Sequence, residues 1–421
     1  MGLLRTSTVL GCTILSGMAA LSLTAACGSE QGGGSRTVRG AAAQVPAADP
    51  RPYADADAAF GLDVLKSWCG EDKAANVVFS PSSLSSGLGM VHLGARGRTA
   101  AAMARTLRLP AGDPLPGLHA RGRSFEGLGG KDVTFTTSDQ VWSDERVTPG
   151  KAYLDRVATA YDASLELLDI AGDPDGARKT INSAVKKTTG GKIPSLLPKD
   201  SITKETGWVL TDAVYLKADW ATPFKKSATG PEPFTTAAGK RIQADMMSRA
   251  GMFGHAEAGG WTAVDLPYKG GRLGMTALLP DDAGSTGCPE LSAATLRKVT
   301  SALRPARLDL HLPKIDLKSN EDMKPLLTRL GMGVAFGDQA DLTGLSAHAD
   351  KIQFVRHAAT LRVDEKGTEA AAATGTGIGV TSAPPAAEKK IVFDRPYLVL
   401  VRDTRTGQPL FLARVADPSA S

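Results

Sequence analysis

Residues 363–390 read VDEKGTEAAAATGTGIGVTSAPPAAEKK, and this stretch decides how the rest of the chain is read. No charge lies between Glu369 and Glu388, and within that span Ile378 and Val380 are the only large core-type side chains. Connections in compact domains are usually ~4–6 residues, so a segment this long points to function or to a linker. Its parity is informative. Positions 368, 370, 372, 374, 376, 378 and 380 are Thr, Ala, Ala, Thr, Thr, Ile and Val. The alternate positions 367–379 are Gly, Glu, Ala, Ala, Gly, Gly and Gly. Successive side chains of a strand face opposite ways, so one face is small or β-branched and suited to burial. The other is tiny apart from Glu369. The glycines make a poor isolated strand. A plain Ala/Gly linker leaves the alternation unexplained. A loop that hides a strand's pattern is one that can insert into a sheet.

Outward from this segment the chain is ordinary globular material. Its 421 residues are 42% hydrophobic and 22% charged, which excludes a fully disordered chain. The formal charge is only +5, and no block of five or six basic residues exists, so nucleic acid is not an expected partner. Helical spacing covers Ala59–Trp68, Ser82–Leu93 behind Ser80-Pro81, Lys151–Leu168 and Ala177–Thr188. Trp208–Leu216, Arg272–Leu279, Arg307–Leu312 and Ile391–Asp403 read as strands. Lys324–Leu330 begins a short helix that Gly331 ends. Strands and helices interleave irregularly, so the expected class is α+β.

The N-terminus carries a different signal. Arg5 is followed by an uncharged apolar run, Val9–Leu23, then Thr24-Ala25-Ala26-Cys27. A short apolar run with small residues behind it is a signal peptide, whereas a spanning helix needs ~20 apolar residues. Leu23–Cys27 resembles a bacterial lipobox, with Thr24 in place of the usual Leu. That resemblance implies removal of residues 1–26, lipidation of Cys27, and anchorage on the outer face of the cell membrane. Residues 27–52, rich in Gly, Ala, Ser and Pro, read as a flexible tether. Residues 53–421 read as one domain, expected to be monomeric. Cys69 and Cys288 then lie in an oxidising compartment, where a disulfide and two buried thiols are both open.

Val363–Ala373 resembles the hinge of an inhibitory serpin. Ile391–Asp403, with Phe393-Asp394-Arg395-Pro396-Tyr397, resembles that family's C-terminal signature, Tyr397 standing where Phe is usual. Asn76–Ser83 and Val91–Thr99 are similar to the segments around the buried second helix. Asp212–Trp220 with Pro223-Phe224, Ile181-Asn182 with Gly191-Lys192-Ile193 and Leu196-Leu197-Pro198, and His311–Lys314 also fit, in order. The resemblance implies a large central, mostly antiparallel sheet, two further sheets, about nine helices and an exposed reactive-centre loop at about 365–390. It implies a protease inhibitor rather than an enzyme, acting as a suicide substrate on serine proteases, with a non-inhibitory or substrate-like serpin serving as a surface binding protein as the alternative. No cofactor or metal is expected.

Site residues follow from the same resemblance. The hinge is Glu365, Lys366, Gly367, Thr368, Glu369, Ala370, Ala371, Ala372 and Ala373, whose small side chains permit insertion. Glu365 matches the hinge acid and Lys314 its partner. Trp220 matches the aromatic under the point where the sheet opens. Ser80, Ser83 and His357 match a polar cluster at the sheet's centre, where Asp212 replaces the usual Asn. Family spacing from Glu365 puts the reactive bond at Thr381–Ser382, with Val380 the runner-up. Small β-branched residues there imply elastase-like or subtilisin-like targets, with cysteine proteases as a further class. Two other patterns are discounted. Ser183 and Lys186 have S-x-x-K spacing but lack the accompanying motifs, the nearest Ser138-Asp139-Gln140 lying upstream. Gly375–Gly379 lacks the ending of a phosphate loop. His92, His119, His255, His311, His348 and His357 show no metal-ligand spacing.

Overall fold

The computed structural model describes residues 34–282, 287–288, 290–368 and 389–420. The chain begins with β1 (Arg36–Val38), α1 (Arg51–Glu71), β2 (Val77–Phe79), α2 (Pro81–His92), α3 (Gly97–Thr106) and α4 (Leu115–Phe125). Then come β3 (Val133–Thr137), β4 (Gln140–Asp144), α5 (Lys151–Tyr161), β5 (Leu165–Leu168), α6 (Pro174–Thr188) and β6 (Trp208–Asp219). The middle is β7 (Thr229–Thr235), β8 (Arg241–Ala258), β9 (Trp261–Pro267), β10 (Leu273–Pro280), α7 (Ala293–Ala302), β11 (Arg304–Pro313) and β12 (Ile315–Asp322). Last are α8 (Lys324–Leu327), β13 (Val355–Val363), β14 (Gly367–Thr368), β15 (Lys389–Val392), β16 (Tyr397–Asp403) and β17 (Pro409–Val415).

The strands make two sheets. The eight-stranded one runs β1-β5-β4-β6-β14-β13-β12, with β3 also on β6. Its pairings are antiparallel except β4–β5 and β13–β6. The other runs β15-β11-β8-β9-β10-β16-β17-β2, with β7 on β8. So the expected α+β architecture holds. The described residues contain eight α-helices, in line with the expected number of about nine. The two further sheets form one nine-stranded sheet, because the 18-residue strand β8 runs unbroken through both.

Strand β6 explains how the layers stack. Its whole run is buried but for two half-buried residues near the end, and both faces are covered. Val214, Leu216 and Ala218 join a core with β9, β10 and β16 residues such as Val264, Met275 and Val399. On the opposite face Ala213 packs with Ala358 of β13 and Val185 of α6. Helix α6 therefore lies over the seam between β6 and β13, with alanines beneath it. Ser80 caps α2 through Ser83 N–H, and Pro81 occupies its first turn, as the Ser-Pro pair predicts.

Two sequence expectations change and one open alternative is decided. The helix read over Lys151–Leu168 ends at Tyr161, because Asp162 adopts a left-handed conformation (φ 53°) and Leu165–Leu168 pairs with β4. Residues 36–45, read as part of a tether, lie along the body. Arg36 pairs with Leu167, Ala41 N–H donates to Asp155 (2.8 Å) and Ala43 N–H to Thr159 (2.9 Å). Cys69 and Cys288, left open above, are joined in a disulfide. Residues 1–33, including Cys27, lie outside the described residues.

Candidate functional site: the hinge and the sheet seam

β6 and β13 run parallel and pair from Leu210–Val355 to Tyr215–Thr360. Beyond Thr360 the two strands part, and β14 sits between them. Thr368 pairs with Val363 on one side and Ala218 on the other, while Gly367 pairs with Asp219. The seam is thus closed along most of its length and already occupied by two hinge residues at one end. A tight turn delivers them. Lys366 N–H donates to the Asp364 carboxylate (2.8 Å), and Asp364 N–H to Gly367 C=O (2.9 Å). Gly367 is required by close approach: a Cβ there would lie 2.0 Å from Ala218 O. Thr368 is fully buried, with its hydroxyl 2.5 Å from the Tyr268 hydroxyl.

Trp220 forms the floor of this end. Its ring stacks on Tyr268, centroids 4.5 Å apart and planes within 10°. Its indole N–H donates to Asp364 C=O (2.9 Å), and its backbone N–H to Lys366 C=O (2.8 Å). Glu365 is buried beside it. Burial opposes ionisation, yet a backbone hydrogen bond, the Thr229 hydroxyl (2.9 Å) and Lys314 (3.4 Å) together hold its carboxyl below the ordinary carboxylate range. The Glu365–Lys314 pair expected from sequence is present, and Phe224 N–H adds a hold on Glu365 C=O (2.8 Å).

The second cluster lies in the closed part of the seam. His357 and Asp212 are direct cross-strand partners and both are fully buried. Ser80 N–H donates to His357 Nε2 (3.1 Å), which leaves the imidazole proton on Nδ1 to donate to Asp212 (2.9 Å). Ser83 Oγ stands 2.6 Å from Asp212 and 2.5 Å from Asp139. One hydroxyl proton cannot serve two carboxylates, so one carboxyl supplies its own. It is Asp139: burial and the neighbouring Asp212 charge drive its pKa well above the usual range, against the pull of Ser83 and Arg121. A strand inserted between β6 and β13 must separate His357 from Asp212.

Of the sequence-named residues, Glu365, Lys366, Gly367, Thr368, Trp220 and Lys314 converge at the open end. Ser80, Ser83, Asp212 and His357 converge at the closed part. Glu369, Ala370–Ala373, Thr381 and Ser382 lie outside the described residues. Sequence reading missed Tyr268, Thr229 and Asp139. In the sequence Asp139 stands out only within the discounted Ser138-Asp139-Gln140. The first two carry no local signal, since both reach the hinge from the other sheet, Tyr268 just after β9 and Thr229 as the first residue of β7. His92, at the end of α2, does not join the His357 cluster.

Residues 55–418 match the family model described as serpin (serine protease inhibitor). The chain belongs to the serpin family. It is 33% identical over 374 residues to a leukocyte elastase inhibitor of Bos taurus, covering 86% of this chain and 98% of that protein. It is 31% identical over 373 residues to an uncharacterized serpin-like protein of Thermococcus kodakarensis, covering 87% and 86%. Among solved structures it superposes on the thermophilic serpin tengpin in its native state with TM-score 0.80. That match is 24% identical and covers 91% of this chain and 99% of tengpin. The fold is the serpin fold, and the family is one of protease inhibitors. The expectation of a chain that is not an enzyme is corrected to what the family match carries: membership among serine protease inhibitors, which by itself says nothing of catalysis.

Proposed function

We propose that this serpin inhibits serine endopeptidases as a suicide substrate. The protease serine attacks the Thr381 carbonyl, an acyl ester forms, and the Ser382 amine leaves. The freed segment from Glu369 onward then continues β14 down the seam, adding ladder hydrogen bonds to β6 and β13, and the attached protease is displaced before water reaches the ester. The observation that carries this reading is β14, whose two residues already sit between strands that are otherwise paired with each other. Small side chains at Ala370–Ala373 favour its extension, since a buried charge there costs several kcal/mol. Thr381 and Val380 suit elastase-like or subtilisin-like proteases, and cysteine proteases form a further class. The leukocyte elastase inhibitors among the relatives support the first class.

The N-terminal sequence supports export, removal of residues 1–26 and lipidation of Cys27, which would anchor the inhibitor on the outer face of the membrane. The test is incubation with pancreatic elastase, subtilisin, chymotrypsin and trypsin, followed by denaturing electrophoresis and the mass of the released C-terminal peptide. A covalent band with a peptide starting at Ser382 supports mechanism and register. Cleavage between Ile378 and Pro385 without a covalent band makes the protein a substrate-like serpin and removes the trap.

A further inference from the structure

Arg249 on β8 is held in an unusual way. Its guanidinium stacks 4.2 Å from the Phe253 ring centroid and 5.3 Å from that of Phe224. Nε is buried without a hydrogen-bond partner, and among the described residues no carboxylate pairs with the group. Burial brings its pKa down to about 10. A desolvated cation without a counter-ion is unfavourable, and rings over its faces leave the in-plane N–H donors at the edge for an acceptor. The side chain lines a cavity of about 590 Å³ together with Lys225 and Ser248. The same cavity is bordered by Pro223, Ala250 and Met252, and Met252 is the one large hydrophobic side chain exposed among the described residues, at 57%. Asp309, the carboxylate in the lining, lies 3.5 Å from His311 Nε2.

We infer that this cavity is a binding site for an organic anion with a carboxylate head and an apolar tail. The head pairs with the edge of Arg249 and with Lys225, and the tail covers Met252 and Pro223. Each half of the site excludes a simpler ligand: a bare anion leaves Met252 in water, and a neutral hydrocarbon leaves Arg249 unpaired. The volume lies in the ~300–1,000 Å³ range of small-molecule sites. Phe224, which stacks on Arg249, also holds Glu365 through its backbone N–H, so the site adjoins the hinge.

Isothermal titration of the full-length protein with sodium dodecanoate tests this, with sodium acetate and dodecanol as head-only and tail-only probes. The expected result is saturable one-to-one binding of dodecanoate, with neither control reaching a tenth of its affinity. Arg249→Met should weaken it by about tenfold or more, the loss of a charge-assisted pair. Met252→Ser, a change at an exposed side chain that leaves folding alone, should weaken it about threefold to tenfold, as loss of apolar contact does. Absence of saturable binding overturns the inference. So does equal binding of acetate or dodecanol, or dodecanoate binding that Met252→Ser leaves unchanged.

Discussion

Replacing Thr368 by Arg is the sharpest test of insertion at the seam. Thr368 is fully buried between β6 and β13, and its hydroxyl meets Tyr268. An arginine there either buries a guanidinium without a carboxylate partner or expels β14. Burying an ion costs several kcal/mol even after relaxation. If the barrier to insertion feels about 2–3 kcal/mol of that, the insertion rate falls about 30- to 150-fold. The acyl-enzyme has two fates, trapping by insertion or release by hydrolysis, and only the first is slowed. The number of inhibitor molecules consumed per protease inactivated should rise accordingly, and the covalent band should give way to cleaved inhibitor. The assay is titration of residual elastase or subtilisin activity, read beside denaturing gels. Thr368→Val is the control: it loses the Tyr268 hydrogen bond but stays apolar and β-branched, and should trap with a stoichiometry within about threefold of the parent. Unchanged stoichiometry in the Thr368→Arg protein would refute the view that β14 is the leading end of an inserting strand.

Asp139 makes stability depend on pH. Its folded pKa is raised, so its contribution is fully present below the ordinary carboxylate range and is lost as pH rises through the folded value. Asp139→Asn keeps the hydrogen bond without the charge, and the difference in melting temperature between variant and parent should grow in the variant's favour from pH 4 to pH 8; a constant difference would reject the raised pKa of Asp139. Reduction of Cys69–Cys288, or replacement of both by Ser, should lower stability by about 2–5 kcal/mol in chemical denaturation, since the bridge ties α1 to the segment before α7. Gly40→Val should release the N-terminal strand, because a Cβ at Gly40 would lie 2.2 Å from the Leu154–Asp155 backbone. Faster amide exchange in β5 would report it, and unchanged exchange would show that β1 adds no protection.

How far the sequence reaches is clear at particular residues. It determined the features whose physics is local. Ser80-Pro81 announces a capped helix, and α2 begins there; the small, alternating side chains after Gly367 carry the proposal of an inserting strand. Trp208–Leu216 is apolar on both parities apart from Thr211 and Asp212, because both faces of β6 are covered. Family resemblance then placed Glu365, Lys314, Trp220 and His357 in two groups, and the structure assembles each, the first at the open end of the seam and the second in its closed part. What depends on residues far apart in the chain became visible only in the folded molecule. Residues 36–45 look like a tether because their backbone partners lie in β5 and α5, more than a hundred positions away. The helix from Lys151 stops at Tyr161 because Leu165–Leu168 has β4 to pair with. Cysteine spacing allowed a bridge but could not form one. The proton on Asp139 follows from Asp212 and Ser83 reaching the same point from different elements, and the uncompensated charge of Arg249 from two aromatic rings closing over it. Side-chain pattern is written along one strand or helix. Pairing, burial and charge are set by what the other elements bring against it.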